Sequence, residues 1–258
     1  MTILDKIIAD KKIEVAQRKQ LVSISKLEKT TAFDRKCLSL RQSLLQSKSG
    51  IIAEFKRKSP SKDWIHADAD VQKITSGYSQ NGASGISILT DFPYFGGTPE
   101  DLISARANIA CPVLRKDFMI DEYQLFEAKS YGADVILLIA AALTIEECKN
   151  LAQKAQALGL ETLLEVHNAE ELSHINEHIT LVGVNNRNLK TFEVSTEISV
   201  ELAQLIPDEF VKISESGISN VQTVRELQQI GYKGFLMGEN FMKEENPAKA
   251  LKKFIAEI

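Results

Sequence analysis

From Ile51 onward, short continuous apolar runs alternate with segments in which apolar residues recur every three or four positions. The runs are "IIAEF", "GISILT", "CPVLRK", "DVILLIA", "ETLLEV", "TLVGVN", "FVKISE" and "GFLMG". Continuous apolar stretches of this length fit strands covered on both faces, and the longer spacing fits helices with one buried stripe. The helical segments include "DADVQKITSGYSQNG", "DEYQLFEAKSYG", "TIEECKNLAQKAQALG", "STEISVELAQLI" and "SNVQTVRELQQIG". Eight strand–helix units predict an α/β fold, a (β/α)8 TIM barrel. A doubly wound open sheet also alternates strand and helix, but no Gly-rich dinucleotide fingerprint follows the first run.

The opening segment reads differently. "LDKIIADKKIEVAQRK" places Leu4, Ile7, Ile8 and Val15 on one helical face, and "FDRKCLSLRQSLLQ" is a second amphipathic stretch. The expectation is one barrel domain over residues 1–258, of which about 1–48 is an N-terminal helical extension. Gly132, Gly159 and Gly231 stand where left-handed C-caps belong. Thr144, Ser195 or Thr196, and Ser219 stand where N-caps belong. The runs "FDRK" and "ALKKFIAEI" read as exposed helix faces with buried stripes.

Composition narrows the class. Hydrophobic residues make up 44% of 258 and charged residues 26%, enough apolar mass for a large core under an ordinary surface. A formal charge of −4 argues against a general nucleic-acid binder but permits a local basic pocket. Cys37, Cys111 and Cys148 are scattered, without a CxxC pair, which fits a reducing compartment better than a disulfide or zinc framework. Neither a secretory apolar core nor a bilayer-length apolar run occurs, so the expectation is a cytoplasmic protein without a membrane partner.

The chemistry lies in where the charges fall. A barrel of this kind carries its active site at the C-terminal ends of its strands. Those tips hold Glu54 and Lys56, Lys116, Glu165, Asn185 and Glu215. Period-two alternation puts Glu54 and Lys56 on one face, the barrel interior. A single buried Lys–Glu pair could merely neutralise itself. Three carboxylates and two lysines converging from four strands point instead to tuned proton transfer.

Two further groups flank these charges. Ser216 and Gly217 in "SESGIS", with Gly238 in "FLMGEN", follow the seventh and eighth runs, the usual phosphate cradle of this architecture. Ser59, beside Pro60, could close it with its hydroxyl. Phe95, Phe118, Leu137 and Leu189 could line a slot for a flat apolar ring. The ligand so drawn is a small molecule with a phosphate at one end, a ring at the other and reactive carbons between.

The segments "IIAEFKRKSPSK", "ISILTDFPYFGG", "PVLRKDF", "TLLEVHN", "GVNNRNL", "KISESGIS" and "FLMGENFM" resemble, in order and spacing, those of indole-3-glycerol-phosphate synthase. The resemblance spans essentially the whole chain. It implies ring closure, decarboxylation and dehydration of 1-(2-carboxyphenylamino)-1-deoxyribulose 5-phosphate, with no metal or organic cofactor. It makes Lys116 the general acid on the carbonyl oxygen and assigns Glu165 and Lys56 to the later proton transfers. Glu54 would orient a lysine, Glu215 would add charge and hydrogen bonding, and Asn185 and Arg187 would position hydroxyls or the carboxylate. Asp63 and Trp64 depart from the family's usual Gly and small aliphatic residue. Glu239 stands where some relatives carry Ser; if it meets phosphate, only its backbone N–H should do so, with the carboxylate turned away. The partner expected is the sugar-phosphate substrate alone, on a monomer or weak homodimer.

Other readings stay open on the residues themselves. His174 and His178 lie four apart on a predicted helix, a metal-binding spacing without a third ligand, and a solvated face explains them better. His167, just past Glu165, could orient that carboxylate or serve only the loop. A barrel aldolase using Lys116 as a Schiff-base nucleophile and a non-catalytic phosphosugar-binding protein are the rival functions.

Overall fold

The computed structural model describes residues 2–189 and 191–258. Eight parallel strands close into a barrel: β1 Ile51–Phe55, β2 Gly85–Leu89, β3 Val113–Lys116, β4 Val135–Ile139, β5 Glu161–Val166, β6 Leu181–Asn185, β7 Val211–Glu215 and β8 Tyr232–Met237. Each pairs with its sequence neighbours, and β1 pairs with β8 to shut the ring. The apolar runs are continuous because both strand faces are covered: β1, β2, β4 and β7 are buried at every residue.

The chain opens with α1, Ile3–Leu21, and α2, Leu40–Gln46. The barrel helices are α3 Val71–Gln80, α4 Pro99–Arg106, α5 Tyr123–Tyr131, α6 Ile145–Ala157, α7 Glu197–Leu202, α8 Val221–Gln229 and α9 Pro247–Ala256. Thr144 caps α6 in a reciprocal capping box with Glu147. Asn220, rather than Ser219, caps α8, its carboxamide oxygen accepting from Thr223 N at 2.9 Å. Gly132, Gly159 and Gly231 do take positive φ.

Two further expectations change here. "FDRK" is a turn, not an exposed helix face, because the Arg35 guanidinium reaches into the barrel base and donates to Asp134 at 2.7 Å and to Gly132 O at 3.0 Å. The segment holding His174 and His178 forms only a 3₁₀ turn, Glu170–His174. Asn168 accepts from Glu171 N at 3.0 Å and starts that turn instead of a full helix.

The core has two compartments. One lies between the strands' outer faces and the helices. The other fills the barrel with Ile52, Leu114, Val135, Leu137, Leu163, Leu181, Ile213 and Leu236, and Leu40 and Leu44 of α2 plug its lower end. An added Cβ at Gly85 or Gly234 would run into those two leucines, so the plug is seated against the strands. With the bottom stoppered, the barrel interior opens at its C-terminal mouth. Among the described residues no helix is long and apolar enough to cross a membrane.

Candidate active site

Alternation along each strand carries the interior stripe upward from apolar to ionisable. Leu114 is followed inward by Lys116, Leu163 by Glu165, Ile213 by Glu215 and Ile52 by Glu54. Lys116 Nζ lies 2.7 Å from Glu215 Oε2 and 3.3 Å from Glu165 Oε2. Asn185 Nδ2 donates to the other Glu165 oxygen at 2.9 Å. Lys56 Nζ lies 2.7 Å from Glu54 Oε1, two residues back along the same strand edge. Gly183 makes room for this arrangement: a Cβ there would strike the Glu215 carboxylate and Leu163.

These charges set one another's protonation. Burial alone would depress the Lys116 ammonium, but Glu215, Glu165 and Glu54 outweigh it and hold the group well above its ordinary range. Burial likewise opposes ionisation of Glu165. Lys116, the His167 imidazole and the Asn185 amide overcome it and keep that carboxyl far below the usual range. Glu215 moves the other way. Burial, with the charges of Glu165 and Glu54, pushes it up to about 7 against the pull of Lys116.

The residues proposed from the sequence for catalysis and substrate binding line one cavity of about 220 Å³: Glu54, Lys56, Ser59, Phe95, Lys116, Phe118, Leu137, Glu165, Asn185, Arg187, Leu189, Glu215, Ser216, Gly217, Gly238 and Glu239. At one end Ser216 and Gly217 both have positive φ (67° and 73°), a tight double turn after β7. Val194 packs where a Gly217 side chain would go, which drapes the loop after β6 over this turn. Arg187 N donates to Asn185 Oδ1 at 3.0 Å and the guanidinium to Phe192 O at 3.3 Å. The Glu239 carboxylate, partly exposed, turns toward Lys62 Nζ at 3.9 Å.

The loop after β1 forms a small hairpin, with Lys58–Ser59 paired to Asp63–Trp64. Arg57 anchors its base by a two-pronged ion pair to Asp101 (2.6 and 2.8 Å). The Trp64 ring covers Gly96 and its centroid lies 5.6 Å from Lys58 Nζ, so Trp64 ties the hairpin to the next loop, while Asp63 stays within the hairpin, its carboxylate 3.7 Å from Lys58 Nζ.

At the other end Phe95 and Phe118 face each other with ring centroids 6.1 Å apart. Here the structure adds residues that sequence reasoning missed: Ile3, Leu4 and Ile7 of α1 complete the wall. The helix is pinned there by Lys11, which is 1% exposed and lies 2.8 Å from Asp91 and 3.0 Å from Asp117. Asp117 in turn binds the fully buried Arg115 at 2.9 Å. The only hint in the sequence is a lysine on the apolar stripe between Ile7 and Val15.

The remaining histidines separate by role. His174 is bonded to Leu143 O and Glu171 O, and His178 to Gln156 Oε1, so the two do not share a helix face. His167 Nε2 lies 3.3 Å from Glu165 Oε1.

Comparison with known proteins bears on family and fold. The family model described as indole-3-glycerol phosphate synthase matches residues 4–254. The indole-3-glycerol phosphate synthase of Bacteroides thetaiotaomicron is 49% identical over 256 residues, covering 99% of this chain and 98% of that protein. That of Kineococcus radiotolerans is 41% identical over 262 residues, covering 99% and 96%. Among solved structures, a chain of the tryptophan synthase a2b2 complex from Pyrococcus furiosus superposes with a TM-score of 0.60 at 17% identity. It covers 81% of this chain and 97% of that one, a likeness of fold.

Proposed function

The chain belongs to the indole-3-glycerol phosphate synthase family, carboxy-lyases of tryptophan biosynthesis, and from that premise we propose how its charged mouth divides the reaction. The substrate's phosphate would sit by Ser216, Gly217, Gly238 and Ser59, and its benzoate ring between Phe118, Leu137 and the α1 residues. The ring carbon bearing the carboxylate attacks the ribulose carbonyl carbon. Lys116 gives its proton to the carbonyl oxygen, so no free alkoxide forms. Loss of carbon dioxide returns the C–C bonding pair to the ring and restores aromaticity.

Dehydration then needs one acid and one base. Lys56 protonates the departing hydroxyl, and Glu165 takes a proton from the carbon beside nitrogen. Glu165 suits the base because Lys116, His167 and Asn185 keep it ionised. Its distance of 3.3 Å from Lys116 Nζ lets it hand that proton back and recharge the first acid. Two protons are spent and one is recovered, so each turnover draws one proton from solvent, matching the carboxylate lost as carbon dioxide.

The observation that carries this reading is Lys116 held charged between Glu215 and Glu165. A protonated amine has no lone pair, which speaks against a Schiff-base aldolase. Lys116→Met should keep substrate binding within a few-fold and lower kcat by about a thousandfold, followed by the appearance of indole fluorescence. Undiminished turnover would remove Lys116 from the role, and borohydride trapping of a substrate adduct on it would support the aldolase.

A further inference from the structure

Glu165 uses its two oxygens differently. Oε2 faces Lys116 and the cavity, whereas Oε1 accepts from Asn185 Nδ2 at 2.9 Å and lies 3.3 Å from His167 Nε2, an ion-pair contact rather than an aligned hydrogen bond. The imidazole is itself fixed. Its Nδ1 lies 3.1 Å from Glu171 Oε2, which also accepts the His167 backbone N–H at 2.7 Å. The other Glu171 oxygen accepts from Asn168 Nδ2 at 3.0 Å. A mostly buried imidazole thus lies between two carboxylates, one inside the barrel mouth and one in the loop after β5.

We propose that His167, backed by Glu171, is a positioning residue that fixes Glu165 through one oxygen and leaves the other free to act as base. This rests on the reading of Glu165 as the base of dehydration. Geometry requires the clamp to act on Glu165 alone: His167 faces Glu165 and Glu171, while Lys116, Glu215 and Glu54 lie on the cavity side. The cation also has an electrostatic consequence. Glu165 and Glu171 raise His167 to about 10 against the effect of burial, so it stays protonated through neutral pH and holds Glu165 ionised. Removing that charge makes Glu165 easier to protonate, and its base function fails at a higher pH.

The test compares kcat and KM of the whole enzyme from pH 3 to 9 in wild type, His167→Gln and Glu171→Gln, because Glu165 is held below the ordinary carboxylate range in the wild type. Glu215, pushed up to about 7 by burial, adds a limb of its own, so the difference between profiles is the readout. The expected result for H167Q is a KM within about twofold and a kcat about tenfold lower at neutral pH. The Glu165 limb, held below the ordinary carboxylate range in wild type, should move upward toward it in H167Q, and E171Q should shift it the same way by less. A merely structural role would lower kcat evenly without moving the limb. An unmoved acid limb in both variants overturns the proposal, and E171Q decides the matter if H167Q does not fold. Glu165→Gln separates the two claims: full turnover in E165Q would sink the base assignment itself.

Discussion

Glu215 shows how one buried carboxyl converts protonation into stability. Its folded value of about 7 lies above the ordinary 4.5, so between those limits the folded chain binds more protons than the unfolded chain. Stability contributed by the neutral acid is present below 4.5 and is lost as pH rises toward 7. The loss is on the order of 3 kcal/mol. Glu215→Gln lacks that titration, so its stability relative to wild type should grow by this amount between pH 4.5 and 7 and then level off. Urea unfolding at pH 5 and pH 8 measures it, and an equal difference at both would refute the assignment. Gly183 is the steric counterpart. Gly183→Ala pushes a methyl into the Glu215 carboxylate and Leu163, and should cost about 1–3 kcal/mol while lowering kcat more than it raises KM.

At the scale of elements, legibility followed the simplicity of the periodicity. Strand tips were readable because a two-residue alternation tells which of Lys116, Asp117 or Glu165, Val166 faces inward once the run is known to be a strand. The N-terminal helix was readable as a helix but not as a wall of the site. Its stripe of Leu4, Ile7 and Val15 includes Lys11, and the partners that make a buried lysine tolerable, Asp91 and Asp117, lie far along the chain. The His174 segment has the spacing of a helix, but the Asn168–Glu171 hydrogen bonds, which no periodicity announces, select a turn. The α1 clamp makes a specific prediction. Lys11→Met leaves two buried carboxylates short of a cation and should destabilise the fold by about 3–5 kcal/mol in denaturant titration. Because α1 supplies Ile3, Leu4 and Ile7 to the cavity wall but no ionisable group to the reacting end, KM should rise while kcat holds. A fall in kcat with KM unchanged would place α1 in the chemistry instead.

The whole molecule divides into an end that holds and an end that reacts. Strand direction fixes which is which: all eight strands run parallel, so their N-terminal ends share one rim and their C-terminal ends the other. Apolar side chains fill the interior from the α2 plug up to Leu137 and Leu236, and the ionisable layer begins only above them. Stability and catalysis should therefore separate by position along the barrel axis. Leu44 gives the sharpest test, being fully buried at the plug, away from the cavity's lining residues. Leu44→Ala should cost about 2–5 kcal/mol, since strands closed into a ring cannot collapse around the void. The mouth is built on strand ends whose mutual register is set by backbone hydrogen bonds, so kcat and KM below the melting transition should stay within about twofold of wild type. A Leu44→Ala protein that unfolds earlier yet turns over normally fits this division. One that keeps its stability but loses turnover would mean that the plug transmits its packing through the barrel to Lys116 and Glu165, and the two ends would have to be treated as one.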